Sequence, residues 1–136
     1  MAAAKYLLDT HTLIWFQENN PQIPIRVMNI IQETDNIILV SQVSLFEISI
    51  KQKIGKLPAF YATVEEIYQQ AIKDGFTFLT IQNQHIFNYN KVPLIEGHRD
   101  PFDHLLISTA MDENAVILSA DEKFNQYDEL VNVFWN

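Results

Sequence analysis

Five short apolar runs, set apart by segments of helical periodicity, constrain this chain most. The runs are KYLLD (5–9), NIILVS (36–41), FTFLTI (76–81), AVILSA (115–120) and, more weakly, VNVFW (131–135). Each is short enough for a strand and apolar on consecutive positions, the pattern of a strand buried on both faces. Between them, Ile23, Val27, Ile30, Ile31 and Thr34 share one helical face. Val64, Ile67, Tyr68, Ala71 and Ile72 share another, with Gly75 placed to end it. A further helix is expected over 44–54, stopped at Gly55, and a third stripe comprises Phe102, Leu105, Leu106 and Ala110. Strands alternating with helices predict an α/β fold, a three-layer sandwich around a central, mostly parallel sheet of four to five strands. Ligands of such sheets bind beyond the carboxyl ends of the strands. The longest irregular stretch is KVPLIEGHRD (91–100).

The 136 residues suit one domain spanning 1–136, and 48% hydrophobic content supplies a core. No run of eighteen apolar residues offers a membrane span, and MAAAKYLLDT is a poor secretory signal, so a cytoplasmic location is expected. The absence of cysteine excludes disulfides, thiolate catalysis and zinc–cysteine sites. The formal net charge of −8 opposes a nucleic acid partner unless the acids gather around cations. It also suits a basic protein partner.

Four acids fall at the carboxyl edge of the expected sheet. Asp9 ends the first run, Glu47 lies in the helix after the second, Asp103 opens the helix before the fourth, and Asp121 follows the fourth. Each has an alternative reading as part of a helix cap. SLFE (44–47) fits a capping box with Ser44 as N-cap and Glu47 at N3. In DPFD (100–103), Asp100 is a plausible N-cap, Pro101 suits N1, and Asp103 is favoured in the first turn by the helix dipole. SADE (119–122) fits another box, and TVEE (63–66) fits one with no connection to the sheet edge.

Taken together the four say more. Carboxylates about 5–6 Å apart repel by roughly 3 kcal/mol per pair at an effective dielectric of 20. Six such pairs amount to about 18 kcal/mol, beyond the whole stability of a typical domain. A divalent cation relieves that repulsion, and hard oxygen ligands without cysteine select Mg²⁺, with Mn²⁺ as substitute.

The segments YLLDTHTLIW, SLFEISIKQKIGKL, HRDPFDHLLISTA and LSADEKF occur in that order. They resemble the motifs of PIN-domain ribonucleases, most closely VapC-like toxins of bacterial toxin–antitoxin pairs, over about residues 5–127. The resemblance implies a Rossmann-like PIN sandwich and a metal-dependent endoribonuclease that leaves a 5′-phosphate and a 3′-hydroxyl. It implies Asp9, Glu47, Asp103 and Asp121 as catalytic, metal-binding acids. Thr10 and Ser119 resemble the small hydroxyl residues beside them, and Asp100 a motif acid outside the quartet. It further implies a cognate antitoxin that inserts a segment near the acids, and a homodimer. Members often carry arginine after the FD pair. Here His104 stands there, and no phosphate or partner contact is assigned to it.

Lys51, Lys53 and Arg99 are candidate RNA contacts, the lysines with Lys56 equally read as a solvated helix end favoured by the dipole. Nothing in the spacing of His11, His85, His98 and His104 suggests a zinc site. Trp15, Phe46, Phe102 and Phe124 are expected in the core; Phe60, Tyr61 and Tyr68 are expected there too, with a dimer or antitoxin groove as the alternative. Two other enzyme readings fit less well. A haloacid-dehalogenase-type phosphatase has a second aspartate two residues after the first, where this chain has His11. A receiver domain needs an acid pair after the first strand. A non-cleaving RNA- or protein-binding module of the same fold is the alternative outside enzymology, and it predicts a broken acid set.

Overall fold

The computed structural model describes residues 3–136; Met1 and Ala2, part of the amino-terminal stretch read above, lie outside it. The expected strands form as β1 (Lys5–Leu8), β2 (Ile37–Ser41), β3 (Thr77–Leu79), β4 (Val116–Leu118) and β5 (Val133–Phe134). They make one sheet in the order β3-β2-β1-β4-β5, and every pairing is parallel. The weakest run, 131–135, supplies the fifth strand on the β4 edge.

Alternation along the strands fills both faces. Leu8, Ile38, Val40 and Leu118 join a core with Leu13, Val27, Ile48 and Ile67. Leu7, Leu39 and Ile117 join a second core with Leu106, Ile107, Phe124 and Tyr127. The helices that cover the first face include α1 (Thr10–Gln17), α2 (Ile25–Gln32) and α4 (Val64–Lys73); the second face is covered by α6 (Pro101–Glu113). The helix α3 (Gln42–Lys53) contributes Ile48 to one core and Val43 to the other. A short helix α5 (Asn83–Tyr89) packs on α6.

Two helices stand where none was expected. The first, α1, follows β1 after a single residue, and its inner face mixes Thr10 and Thr12 with Leu13 and Ile14, so no clean apolar stripe marks it. The second, α5, is only seven residues long.

The caps divide. Asp100 caps α6 as expected, accepting from the amides of Phe102 (2.8 Å) and Asp103 (3.4 Å), with Pro101 first in the helix. Thr63 and Glu66 form the predicted reciprocal box on α4. The SLFE box does not form. β2 runs straight into α3, whose N-cap is Ser41, accepting from the Val43 amide at 3.1 Å. Ser44 and Glu47 are therefore interior helical residues, both buried. SADE is also shifted: Asp121 caps a 3₁₀ turn (Glu122–Tyr127) by accepting from Lys123, and Ser119 lies before it.

Of the aromatics assigned to the core, Phe124 is buried, while Phe46, Tyr61 and Tyr68 are exposed. Phe46 leans edge-on against Phe102, with ring centroids 5.8 Å apart, on the flank shared by α3 and α6. Among the described residues, no helix is long and apolar enough to cross a membrane.

Candidate active site

The strand order reverses at β1: the chain builds outward through β2 and β3, then returns to place β4 and β5 on the other side. The crevice beyond the carboxyl ends of β1 and β4 is thus the topological switch point, where open α/β sheets bind ligands. Asp9 follows β1 directly, and Ser119 follows β4. Two bonds tie the strand ends together. The Asp9 amide donates to the Leu118 carbonyl (3.3 Å), and the Thr12 hydroxyl donates to the same oxygen (2.8 Å).

Asp9 is buried and serves as N-cap of α1: its Oδ1 accepts from the Thr12 amide at 2.8 Å. Its Oδ2 accepts a short hydrogen bond from the Ser119 hydroxyl. Burial raises its pKa above the ordinary aspartate value, and the bonds from Ser119 and Thr12 offset part of that rise. The Ser119 Oγ also accepts from the Asp121 amide at 3.0 Å, linking the two aspartates through one hydroxyl. Asp121 itself is exposed. Asp9 and Asp121 line one shallow cleft of about 270 Å³ with His11, Trp15 and Ala120.

Glu47 approaches from α3. The Thr10 hydroxyl donates to its Oε1 at 2.7 Å and lies 3.0 Å from the Ser44 hydroxyl, so Thr10 joins the start of α1 to α3. The other oxygen, Oε2, pairs with Lys51 one turn on at 3.0 Å. Lys51, read above as an RNA contact, is therefore engaged by Glu47. Lys53 and Arg99 are exposed and form no ion pair among the described residues.

Asp103 approaches from the first turn of α6. Its Oδ2 lies 2.9 Å from Nε2 of His98, a buried residue of the 91–100 loop. Burial, opposed by the His98 hydrogen bond and reinforced by the nearby charges of Asp100 and Glu47, pushes its pKa up to about 6. The influence of Glu47 places the α3 and α6 acids within electrostatic reach of each other. No signal in the sequence marks His98 as part of the site. It lies five residues before Asp103 in an irregular loop, and only the path of that loop brings them together.

The four acids thus share the edge, yet among the described residues no three of them bring ligand oxygens within 4.8 Å of one another. Three are held by separate partners: Asp9 by Ser119, Glu47 by Lys51 and Thr10, Asp103 by His98. The donor set is nonetheless hard, carboxylate and hydroxyl oxygen without sulfur, which fits Mg²⁺ or Mn²⁺. A tighter group stands elsewhere, among His85, Asp112 and Glu113, near Lys5 at the opposite edge. Its chemistry argues against a cation. His85 Nδ1 accepts from the Gln82 amide (3.0 Å), so the ring proton sits on Nε2, facing Asp112 (3.3 Å) and Glu113 (3.5 Å). A metal-bound histidine shows the reverse, with the free nitrogen donating.

This is a doubly covered parallel α/β sandwich with acids at its switch point. A family model, "PIN domain", matches residues 6–130, and the chain belongs to the PIN domain family. The resemblance read from the four motifs agrees with that assignment. No curated protein matches the chain. Solved structures of the same fold include VapBC2 from Rickettsia felis bound to a DNA fragment from its promoter. That match is 18% identical, covers 97% of this chain and 99% of that one, and has a TM-score of 0.62. VapBC-1 from nontypeable Haemophilus influenzae is 20% identical, with 96% of each chain covered and a TM-score of 0.63. FitAcB from Neisseria gonorrhoeae is 16% identical, covering 95% of this chain and 96% of that one, with a TM-score of 0.59.

Proposed function

We propose that this PIN domain is a divalent-metal-dependent endoribonuclease, the toxin of a VapC-like pair held in check by a cognate antitoxin. The observation that carries the reading is the meeting of Asp9 and Asp121 at the β1–β4 switch point, with Glu47 and Asp103 reaching the same edge from α3 and α6. Asp9, Glu47 and Asp103 would hold Mg²⁺ or Mn²⁺, with Asp121 at the solvent side. A cation bound there supplies neutralisation of the phosphate and a water of lowered pKa. The chain's own hydroxyls orient the ligands: Ser119 fixes Asp9, and Thr10 fixes Glu47. Lys51 neutralises Glu47 and would be released towards phosphate as Glu47 turns to the metal. Lys53 and Arg99, both exposed and without an ion pair among the described residues, would meet the RNA backbone.

The partner reading is supported by the VapBC and FitAcB structures that share the fold, and by a net charge of −8 that suits a basic inhibitory segment. A homodimer and a cytoplasmic location belong to the same proposal.

The test is incubation of the purified chain with a mixed RNA pool in Mg²⁺, in Mn²⁺ and in EDTA, beside Asp9→Asn. Discrete cleavage that requires metal and Asp9 is expected. Cleavage that survives both EDTA and the substitution would refute the reading. The separation of the carboxylates favours one second reading, a PIN-like module that binds RNA or protein without cutting. It predicts no cleavage and no Mn²⁺ binding, with RNA or protein capture intact.

A further inference from the structure

Position 104, where related motifs often carry arginine, does not face the site edge at all. His104 is buried, and its Nε2 lies 3.0 Å from the His98 carbonyl and 3.0 Å from the Tyr127 hydroxyl. A carbonyl only accepts, so His104 Nε2 carries the proton. The Tyr127 hydroxyl donates to the same carbonyl at 3.3 Å. The backbone of His98 is thus clamped from α6 and from the 3₁₀ turn.

The His98 ring is enclosed as well. It meets the rings of His104, Tyr127 and Phe124 edge-on, at centroid separations of 5.4, 5.3 and 5.9 Å. Within that cage its Nδ1 is buried and has no hydrogen-bond partner. Its one polar side-chain contact is the 2.9 Å bond from Nε2 to Asp103 Oδ2. An apolar side chain would fill such a cage without leaving a nitrogen unsatisfied, and a buried unsatisfied atom calls for a compensating role. The role available is the bond to Asp103. Asp100 and Glu47 both bear negative charge on Asp103, which favours its turning away to solvent. The His98 bond opposes that and leaves Oδ1 uncommitted.

We infer that His98 is a positioning residue for Asp103, locked in place by His104 and Tyr127, and that it sets the orientation in which Asp103 meets a divalent cation. The inference rests on the metal-site reading above. Partners of this kind, hydrogen-bonded to a ligating carboxylate, govern metal affinity by about 10–100-fold.

The experiment compares His98→Gln with His98→Asn. Both amides are polar and face the same enclosure, but only glutamine places an N–H where Nε2 stood. Mn²⁺ affinity is measured by calorimetry without RNA, alongside melting temperature. The expected result is a weakening of about 10–100-fold in His98→Asn, with His98→Gln within a few-fold of the native chain and the two variants melting alike. His98→Leu serves as a third variant, expected to lose affinity as asparagine does. Native-like Mn²⁺ affinity in folded His98→Asn or His98→Leu overturns the inference, as does an equal loss in the glutamine variant. No Mn²⁺ binding by the native chain overturns the metal-site reading itself, and the inference with it, so the two failures are distinct.

Discussion

Replacing Asp103 with asparagine should make the metal-free protein more stable while removing its function. In the folded chain the Asp103 carboxyl titrates at about 6, against the ordinary 3.8. The sign follows by linkage. The folded state binds this proton more tightly than the unfolded chain, so ionisation of Asp103 destabilises the fold. The deficit is absent below about pH 4, grows as pH rises towards 6, and is complete above it. Raising the carboxyl from 3.8 to about 6 corresponds to about 3 kcal/mol, reduced to about 2–3 kcal/mol because the side chain keeps 18% exposure. Asparagine at this position carries no charge, and its amide oxygen still accepts from His98, so the substitution removes the penalty without breaking the contact. Urea denaturation in EDTA, followed by the fluorescence of Trp15 and Trp135, measures the difference. Asp103→Asn should gain about 2–3 kcal/mol near pH 7, and the gain should close towards pH 4. Mn²⁺ should close that gap at about a hundredfold excess over the native Kd, where the native chain gains about 2.7 kcal/mol, and reverse the order at about a thousandfold excess, where it gains about 4.1 kcal/mol and the weaker-binding variant gains less. An asparagine variant that is less stable than native near pH 7 in EDTA, or a gain that does not vary with pH, would refute the reasoning.

Other expectations follow from the same contacts. Metal affinity and cleavage should fall as pH drops through about 6, because protonated Asp103 is a poor ligand; a pH profile of Mn²⁺ binding that stays flat from about 7 to about 5 would contradict this. Thr10→Val removes the bond to Glu47 and the contact with Ser44, both buried, and should cost about 1–3 kcal/mol by urea denaturation; Thr10→Ser should recover most of it. Lys51→Ala breaks a partly exposed pair one turn long, so stability should change by less than about 1 kcal/mol. If Lys51 meets phosphate once Glu47 turns to the metal, that variant should show a raised KM for RNA with little change in kcat.

The strands β1, β2 and β4 were legible because burial on both faces leaves a run of apolar residues that no surface element shows; each sends neighbouring side chains into opposite cores. What escaped were features set by tertiary contact. The SLFE segment satisfies the local rule for a capping box, yet the buried Thr10 hydroxyl of another helix engages both Ser44 and Glu47. A strand that enters its helix without a loop then moved the true cap to Ser41. The helix α1 was hidden for a related reason. Its inward threonines serve polar contacts at the sheet edge, so its inner face breaks the apolar period that betrays a helix.

The position of the acids was legible from strand ends, but their mutual distances were not, and the repulsion argument explains why. Carboxylates at about 5–6 Å cost roughly 3 kcal/mol per pair when nothing neutralises them. In this structure three of the four are instead drawn to local partners, one hydroxyl, one lysine and one histidine, and no three converge within 4.8 Å. A cation would have to displace the Lys51 contact to draw Glu47 in, whereas the hydroxyl of Ser119 and the ring of His98 can stay where they are and still leave Asp9 and Asp103 with free lone pairs. Metal binding should therefore exchange one cation for another at Glu47 while leaving the other two acids in place. On that argument Glu47→Gln should weaken Mn²⁺ binding less than Asp9→Asn or Asp103→Asn does. Calorimetry on the three variants decides it: a Glu47→Gln loss equal to the other two would mean that Glu47 is already committed to the metal.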